Sequence, residues 1–215
     1  RMLASILLKE LGIEEANNIF HHLNIQNDLE YKQDELNAIV SLWKEANGNF
    51  PNDNIPFTTS TGRIFDTVSY LLGACKVKTY RGEPAMRLEA LASRGNPDRV
   101  PLNLEYLRNT STLLLDIIDL LNDNRIKKED IASKFQLELA KAFAKEAIFK
   151  ARFKDIQYIG LTGGVAYNSS FSTTIKNEVN DAGFTFLEHN LIPPGDAGIS
   201  IGQVIGGIFK FTKEK

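Results

Sequence analysis

Two glycine-bearing turns and two short acidic segments are where this chain could do chemistry. Leu161-Thr162-Gly163-Gly164-Val165-Ala166-Tyr167-Asn168 runs from an apolar stretch into paired glycines and then a helical pattern. Glycines let a backbone approach a ligand closely, and amides at a helix start favour anions. Asn168, about one turn further on, offers a donor and an acceptor suited to ribose, base or phosphate. The same turn reads equally as a tight strand-to-helix connection that binds nothing, because paired glycines are common there. It is not a Walker loop: no Lys-Ser/Thr follows and no G-x-G-x-x-G is present. In Pro193-Pro194-Gly195-Asp196-Ala197-Gly198, Asp196 stands just ahead of another helical pattern. Its carboxylate can cap that helix, the commoner task, or hold a metal or a magnesium-nucleotide. Both turns are expected at the C-terminal edge of one small sheet, the ligand side of an open α/β layer.

The acidic segments are Thr59-Ser60-Thr61-Gly62-Arg63-Ile64-Phe65-Asp66 and Thr79-Tyr80-Arg81-Gly82-Glu83-Pro84. Gly62, Arg63 and Asp66 share the polar side of a helix start, where a charged pair is most often a local ion pair. Glu83, and Glu89 in the helix that follows, read locally as solvated carboxylates. Other reactive types offer less. His21 and His22 are adjacent, so on a helix they point about 100° apart and cannot chelate as an i, i+4 pair does. His189 is isolated, and Cys75 has no evident partner to lower its pKa, so it reads as inert. No serine-histidine-acid arrangement can be defended from spacing.

The elements that must position these residues change character along the chain. Residues 1–155 read as mainly helical. Leu36, Ile39, Val40 and Trp43 recur at helical spacing, and Gly48–Pro56 is a break. Hydroxyl N-caps at Thr58–Thr61 precede a helix burying Ile64, Phe65, Val68, Leu71 and Leu72, with Gly73 as its stop. A short helix carries Met86, Leu88 and Leu91, Asn96–Pro101 breaks the chain again, and helices are expected over Thr110–Leu121 and Glu129–Phe153. The long second one buries Ile131, Phe135, Leu139, Phe143 and Ile148 on one side. Residues 156–215 then read as a small α/β unit: strand Ile156–Leu161, helix Ser169–Asn180, strand Phe184–Glu188, and a helix from Ala197 onward.

Composition narrows the function classes. The 25 basic and 27 acidic residues nearly balance, which argues against a duplex-binding surface and for no nucleic-acid partner. No stretch approaches the roughly 20 apolar residues of a membrane helix. The most apolar segment, Ala197–Phe209, is interrupted by Gln203 and glycines and is expected as a buried helix. One cysteine excludes an internal disulfide framework or a multi-cysteine zinc site and fits a reducing cytoplasm. The opening Arg1-Met2-Leu3-Ala4 runs straight into a helical pattern with no signal-peptide character.

Taken together, these segments resemble the HypF family of hydrogenase-maturation carbamoyltransferases. Arg1-Met2-Leu3-Ala4 is similar to the family's Arg-Met-Ala stretch, and Thr59–Asp66 with Leu71-Leu72-Gly73 resembles Ser-Ser-Cys-Gly-Arg-Leu-Phe-Asp and its continuation. Thr79-Tyr80-Arg81-Gly82-Glu83, followed by Leu88-Glu89-Ala90-Leu91-Ala92, resembles Thr-Tyr-Glu-Gly-Gln with Leu-Glu-Ala-Leu-Ala. Leu161–Asn168 and Pro193–Gln203 resemble Leu-Ser-Gly-Gly-Val-Phe-Gln-Asn and Pro-Pro-Asn-Asp-Gly-Gly-Ile-Ala-Leu-Gly-Gln. The order holds from the first residue to the last.

The resemblance implies an α/β fold class: one lobe of the actin, heat-shock ATPase and sugar-kinase fold, with a nucleotide cleft between two lobes. It implies transfer of a carbamoyl group from carbamoyl adenylate, made from carbamoyl phosphate and ATP by a YrdC-like part, to the C-terminal cysteine of HypE. By the same resemblance Gly163, Gly164 and Asn168 contact nucleotide. Gly62, Asp66, Gly82 and Glu83 line its ribose side, and Asp196 ligates a divalent or transition metal. There are departures: Gln136 stands where the family usually has His, and Gly195 and Ala197 flank Asp196 in place of Asn and Gly. The family's His-rich metal motif lies N-terminal to the Arg-Met stretch, so the chain is expected to be a fragment, inactive alone, lacking the other lobe and two metal ligands. A threonylcarbamoyl or O-carbamoyltransferase and a noncatalytic docking module are the competing readings.

Overall fold

The computed structural model describes residues 1–46, 58–101 and 110–213. The break expected at Gly48–Pro56 lies outside them. Among the described residues seven α-helices precede the first strand: α1 (Met2–His22), α2 (Ile25–Asp28), α3 (Lys32–Glu45), α4 (Thr61–Leu71), α5 (Glu83–Ala92), α6 (Thr110–Leu121) and α7 (Lys128–Lys154). Strand β1 (Tyr158–Gly160), helix α8 (Ser169–Asp181), strand β2 (Thr185–Leu187) and helix α9 (Ile199–Lys213) follow.

Local chemistry accounts for part of these boundaries. α4 begins after Ser60, as its hydroxyl-rich lead-in suggested, although the Ser60 side chain makes no capping bond. It ends at Gly73, whose φ of +72° is one that side-chain-bearing residues rarely adopt. Phe65, Val68, Leu71 and Leu72 are buried along its inner face. α7, at 27 residues, spans about 40 Å. It buries Ile131, Phe135, Leu139 and Ile148, whereas Phe143, expected on the same stripe, is 41% exposed.

A chain of aromatic contacts crosses from the helical region into the α/β unit. Phe65 of α4 meets Phe135 of α7 at 5.2 Å and Phe171 of α8 at 5.7 Å, both edge-on, and Phe143 meets Phe171 at 5.9 Å. Each such pair adds about 0.5–1.5 kcal/mol beyond area burial. α8 is thereby set against α7 and α4, and the turn feeding α8 inherits that position. A second fixed point is Gly95. A Cβ there would lie 1.9 Å from the Glu129 carbonyl oxygen, and the neighbouring Asn96 N–H donates to buried Asp130 at 2.7 Å.

β1 and β2 pair in parallel, Tyr158 with Thr185, Ile159 with Phe186 and Gly160 with Leu187, and α8 is the crossover between them. Ile159 is buried, while Tyr158 and Leu187 on the opposite face are exposed. The expectation that α9 is buried is corrected: Ile199, Ile201, Val204, Ile205, Ile208 and Phe209 are all exposed. An apolar stripe signals that a helix has a face to cover, and nothing in a stripe specifies what covers it. Among the described residues α9 packs mainly on the turn that precedes it. No helix among them is long and apolar enough to cross a membrane.

Candidate functional site

The residues singled out by their chemistry fall on four structural segments, three of which are hydrogen-bonded or ion-paired into one another. The first segment is the start of α4. Gly62 is its second residue, and Asp66 is half-buried one turn on. Burial pushes the Asp66 carboxyl above the usual carboxylate range, against the opposing pull of Lys78 and Arg63. Asp66 helps to line a cavity of about 400 Å³ that also takes in Arg1, Asp28, Arg63, Tyr70 and Lys78. On one wall of that cavity the Tyr70 hydroxyl donates to Asp28 at 2.9 Å, and Lys76 pairs with the same carboxylate at 2.9 Å. The cavity walls do not include Gly163, Gly164 or Asp196.

The second segment is the turn into α5. Gly82 takes φ +85°, which explains a glycine there. Glu83 is corrected from a solvated carboxylate to a buried one. It accepts from the Thr79 backbone N–H at 2.5 Å and the Thr79 hydroxyl at 2.9 Å, and it pairs with Arg87 at 2.7 Å. The Thr79 amide bond is the main reason its carboxyl titrates below the usual range. Glu83 thus closes the turn on itself and leaves the Arg81 side chain 88% exposed.

The third segment is the paired-glycine turn. Gly163 has φ +98°, and a Cβ at either Gly163 or Gly164 would meet no atom within 4 Å, so this backbone faces open space. Gly164–Tyr167 is a single 3-10 turn, against which α4 packs, and α8 starts only at Ser169. Asn168 lies inward. It is buried, its Oδ1 accepts from the Phe171 N–H at 2.9 Å as the α8 N-cap, and its Nδ2 donates to Gln136 at 2.9 Å. Both ends of the amide are engaged within the chain. The first N–H of α8, on Ser169, donates to Glu89 of α5 at 2.8 Å, so that helix start carries its own carboxylate. Glu89 is therefore also not a free solvated group.

The fourth segment is the loop before α9. The Pro194 carbonyl accepts from the Gly163 N–H at 2.7 Å and from the Thr162 hydroxyl at 3.0 Å, which ties the loop to the glycine turn. Asp196, 61% exposed, is bound by Arg81 at 2.5 Å, and that ion pair rather than a helix cap engages its carboxylate. Gly195 is buried beneath Tyr167: a Cβ there would fall 2.5 Å from Cε2 of the ring. A side chain at 195 would have to displace that ring, which is 57% exposed.

The second, third and fourth segments therefore converge, and Asp66 and Gly62 stand on the helix that packs beneath the glycine turn. Sequence reasoning assigned no contact to Arg81, Gln136 or Tyr167 and missed the tie made by Glu89. Nothing local marks these residues, because each acts on a partner distant in the chain. Cys75 is buried, its thiol 3.4 Å from the Val77 carbonyl, and burial pushes its pKa up, so it is a poor nucleophile. His189 meets the Ile192 carbonyl at 3.1 Å. No group of three or more His, Cys, Asp or Glu placed to hold a metal occurs among the described residues. Asp196 is a single hard oxygen donor, which suits a divalent cation only as one member of a shell completed by other groups.

Residues 1–203 match the family model described as carbamoyltransferase, Kae1-like domain, second subdomain. The chain is 38% identical over 213 residues to the probable carbamoyltransferase HypF of Methanocaldococcus jannaschii, covering 98% of this chain and 26% of that protein. The crystal structure of T. kodakarensis HypF superposes with a TM-score of 0.82 at 29% identity, over 99% of this chain and 27% of that one. A full-length HypF crystallised in a phosphate- and nucleotide-bound form shares the fold, with a TM-score of 0.68 at 22% identity over 94% of this chain and 26% of that one. The chain thus spans about a quarter of the length of these relatives.

Proposed function

This chain belongs to the HypF carbamoyltransferase family, as the second subdomain of its Kae1-like domain, and on that premise we propose that it forms one wall of a nucleotide cleft used in carbamoyl transfer. The donor in this reading is carbamoyl adenylate, made from carbamoyl phosphate and ATP. The acceptor is the C-terminal cysteine of HypE, in the cytoplasm, and no nucleophile is asked of this chain. The convergence of three segments supports it best: Pro194 on Gly163 at 2.7 Å and Arg81 on Asp196 at 2.5 Å bring the glycine turn, the Gly82–Glu83 turn and the Asp196 loop together.

The reading gives each of these residues a role. The open backbone at Gly163 and Gly164 receives the phosphates, which a side chain at either position would obstruct. Gly62 and Asp66 face the ribose, whose hydroxyls a carboxylate can accept from. Gly82 and Glu83 hold the shape of the ribose-side turn, since the Glu83 carboxylate is already engaged by Thr79 and Arg87. Asn168 holds the turn from beneath through its cap and Gln136. Asp196 offers one oxygen to a divalent cation, whose remaining ligands come from the other lobe. Such a cation, when bound, neutralises charge on the phosphate or carbamoyl oxygens.

A chimera tests this reading. This chain replaces the corresponding quarter of the Methanocaldococcus jannaschii HypF, and carbamoyl transfer to HypE is measured. The expected result is transfer by the chimera, with loss of about a hundredfold or more on Gly164→Asp, which places a carboxylate against the phosphates. A folded chimera that transfers equally well with and without that substitution refutes the assignment of the glycine turn.

A further inference from the structure

Each of helices α1 to α8 buries at least one apolar side chain within the chain, whereas α9 contributes none to the hydrophobic core among the described residues. Ile201, Val204 and Ile205 recur at the i, i+3, i+4 spacing of one helix face, and Val204 is 63% exposed. Gln203 and Lys210 lie on the opposite side. No charged residue stands between Asp196 and Lys210, so no charge breaks the apolar face. Gly202 and Gly206, one turn apart, border it, and a Cβ at either would meet no atom within 4 Å. That leaves room for a neighbouring backbone to approach closely. The base of the helix, by contrast, is fixed. A Cβ at Gly198 would lie 2.6 Å from the Pro193 carbonyl oxygen, and the Gly198 N–H donates to the Gly195 carbonyl at 2.9 Å. Pro194 in turn accepts from the Gly163 N–H. α9 therefore presents an apolar face from an anchored start.

We infer that this face of α9 is a docking surface for the first subdomain of the Kae1-like domain, which receives it in an apolar groove. The occupant is argued from the family. Residues 1–203 match a second subdomain, and the HypF relatives carry the matching region in about a quarter of their length. A second subdomain has a first to face. A broad apolar stripe on a helix belongs against a core, and the core of this chain is built without α9. The helix begins three residues after Asp196, so seating it fixes how far the Asp196 loop stands from the facing subdomain. The inference rests on the cleft reading above for that facing subdomain, and it asks for neither nucleotide nor metal.

The accessibility of introduced thiols tests it. Val204→Cys probes the apolar face and Gln203→Cys the polar side, each in the 215-residue chain and in the Methanocaldococcus jannaschii HypF chimera described above. Maleimide labelling is timed on the α9 peptide by mass spectrometry, which sets other cysteines aside. In the free chain both thiols are expected to label as open groups. In the chimera Val204→Cys should label about a hundredfold more slowly, because a docked face reacts only when it opens, while Gln203→Cys changes by less than about threefold. Ile205→Asp, which puts a charge into the same face, should restore fast labelling of Val204→Cys in the chimera. Equal Val204→Cys rates in chain and chimera overturn the inference, and so does equal protection of both positions. Protection in the free chain that grows with its concentration assigns the face to a second copy and overturns it as well. If that chimera does not fold, the T. kodakarensis HypF serves as the host. A chimera that protects Val204→Cys yet transfers equally well with Gly164→Asp keeps the docking while the glycine-turn assignment falls. One that loses transfer on Gly164→Asp but leaves Val204→Cys open does the reverse.

Discussion

Asn168 is the residue whose role the structure defines most sharply, and its replacement by alanine tests whether it supports the glycine turn or stands free for a ligand. The substitution removes two interactions, both 2.9 Å long and both buried. Loss of the α8 N-cap costs about 1 kcal/mol. The Gln136 carboxamide then loses its acceptor bond in a buried setting, where its Nε2 already lacks a partner among the described residues. An orphaned buried polar group costs about 1–3 kcal/mol. The sum, about 2–4 kcal/mol, corresponds in a chain of this size to a fall in Tm of roughly 5–15 °C. Urea denaturation followed by far-UV circular dichroism measures it. Gln136→Met in the same background separates the two parts: with both amides gone no orphan remains, so the double variant is expected to be more stable than the sum of single losses predicts, by about 1–2 kcal/mol. An Asn168→Ala protein within 0.5 kcal/mol of wild type, or strict additivity with Gln136→Met, would refute the supporting role and return Asn168 to the ligand side.

Further substitutions probe other fixed points. Gly95→Ala forces a methyl into the Glu129 carbonyl at 1.9 Å and should cost about 3 kcal/mol or more, lowering Tm by roughly 6–12 °C in a thermal melt. Because Glu83 titrates lower in the folded chain than in the unfolded one, its stabilisation is complete above the unfolded pKa and fades as pH falls through the folded one. Glu83→Gln should therefore melt below wild type at pH 7, with the difference closing as pH drops below the ordinary Glu value of about 4.3; an unchanged difference would be contrary. Gly195→Ala should weaken the Asp196 loop by pressing on Tyr167, and Tyr167→Ala should restore it, as read by protease susceptibility of the 190–198 segment. A rescue that fails would remove the Tyr167 contact as the reason for glycine at 195.

Much of the fold was legible in the sequence, because it is encoded in patterns that span a few residues. Helical periodicity located α4 and α7, Gly73 marked the end of α4, and the βαβ order of the last 60 or so residues followed from short apolar runs between glycines. The glycine turn and Asp196 were visible as types in a pattern. What patterns could not carry was partnership. Glu83 read as solvated although both partners lie four residues away, because spacing offers the Thr79 and Arg87 contacts without showing that packing buries the carboxylate they hold. Asn168 looked like a ligand group because Gln136 is thirty-two residues away. The apolar stripe of α9 implied burial, and the structure exposes it.

The sequence by itself determined which segments become helix or strand, where the backbone needs glycine, and which family the chain resembles. Only the tertiary structure decided that Arg81 meets Asp196, that Glu89 caps α8, and that Asn168 points inward. Local propensity acts through neighbours a few residues apart, whereas these contacts depend on how the Phe65–Phe135–Phe171 core sets α4, α7 and α8 against one another. A charged or amide side chain has many possible partners until packing leaves it one.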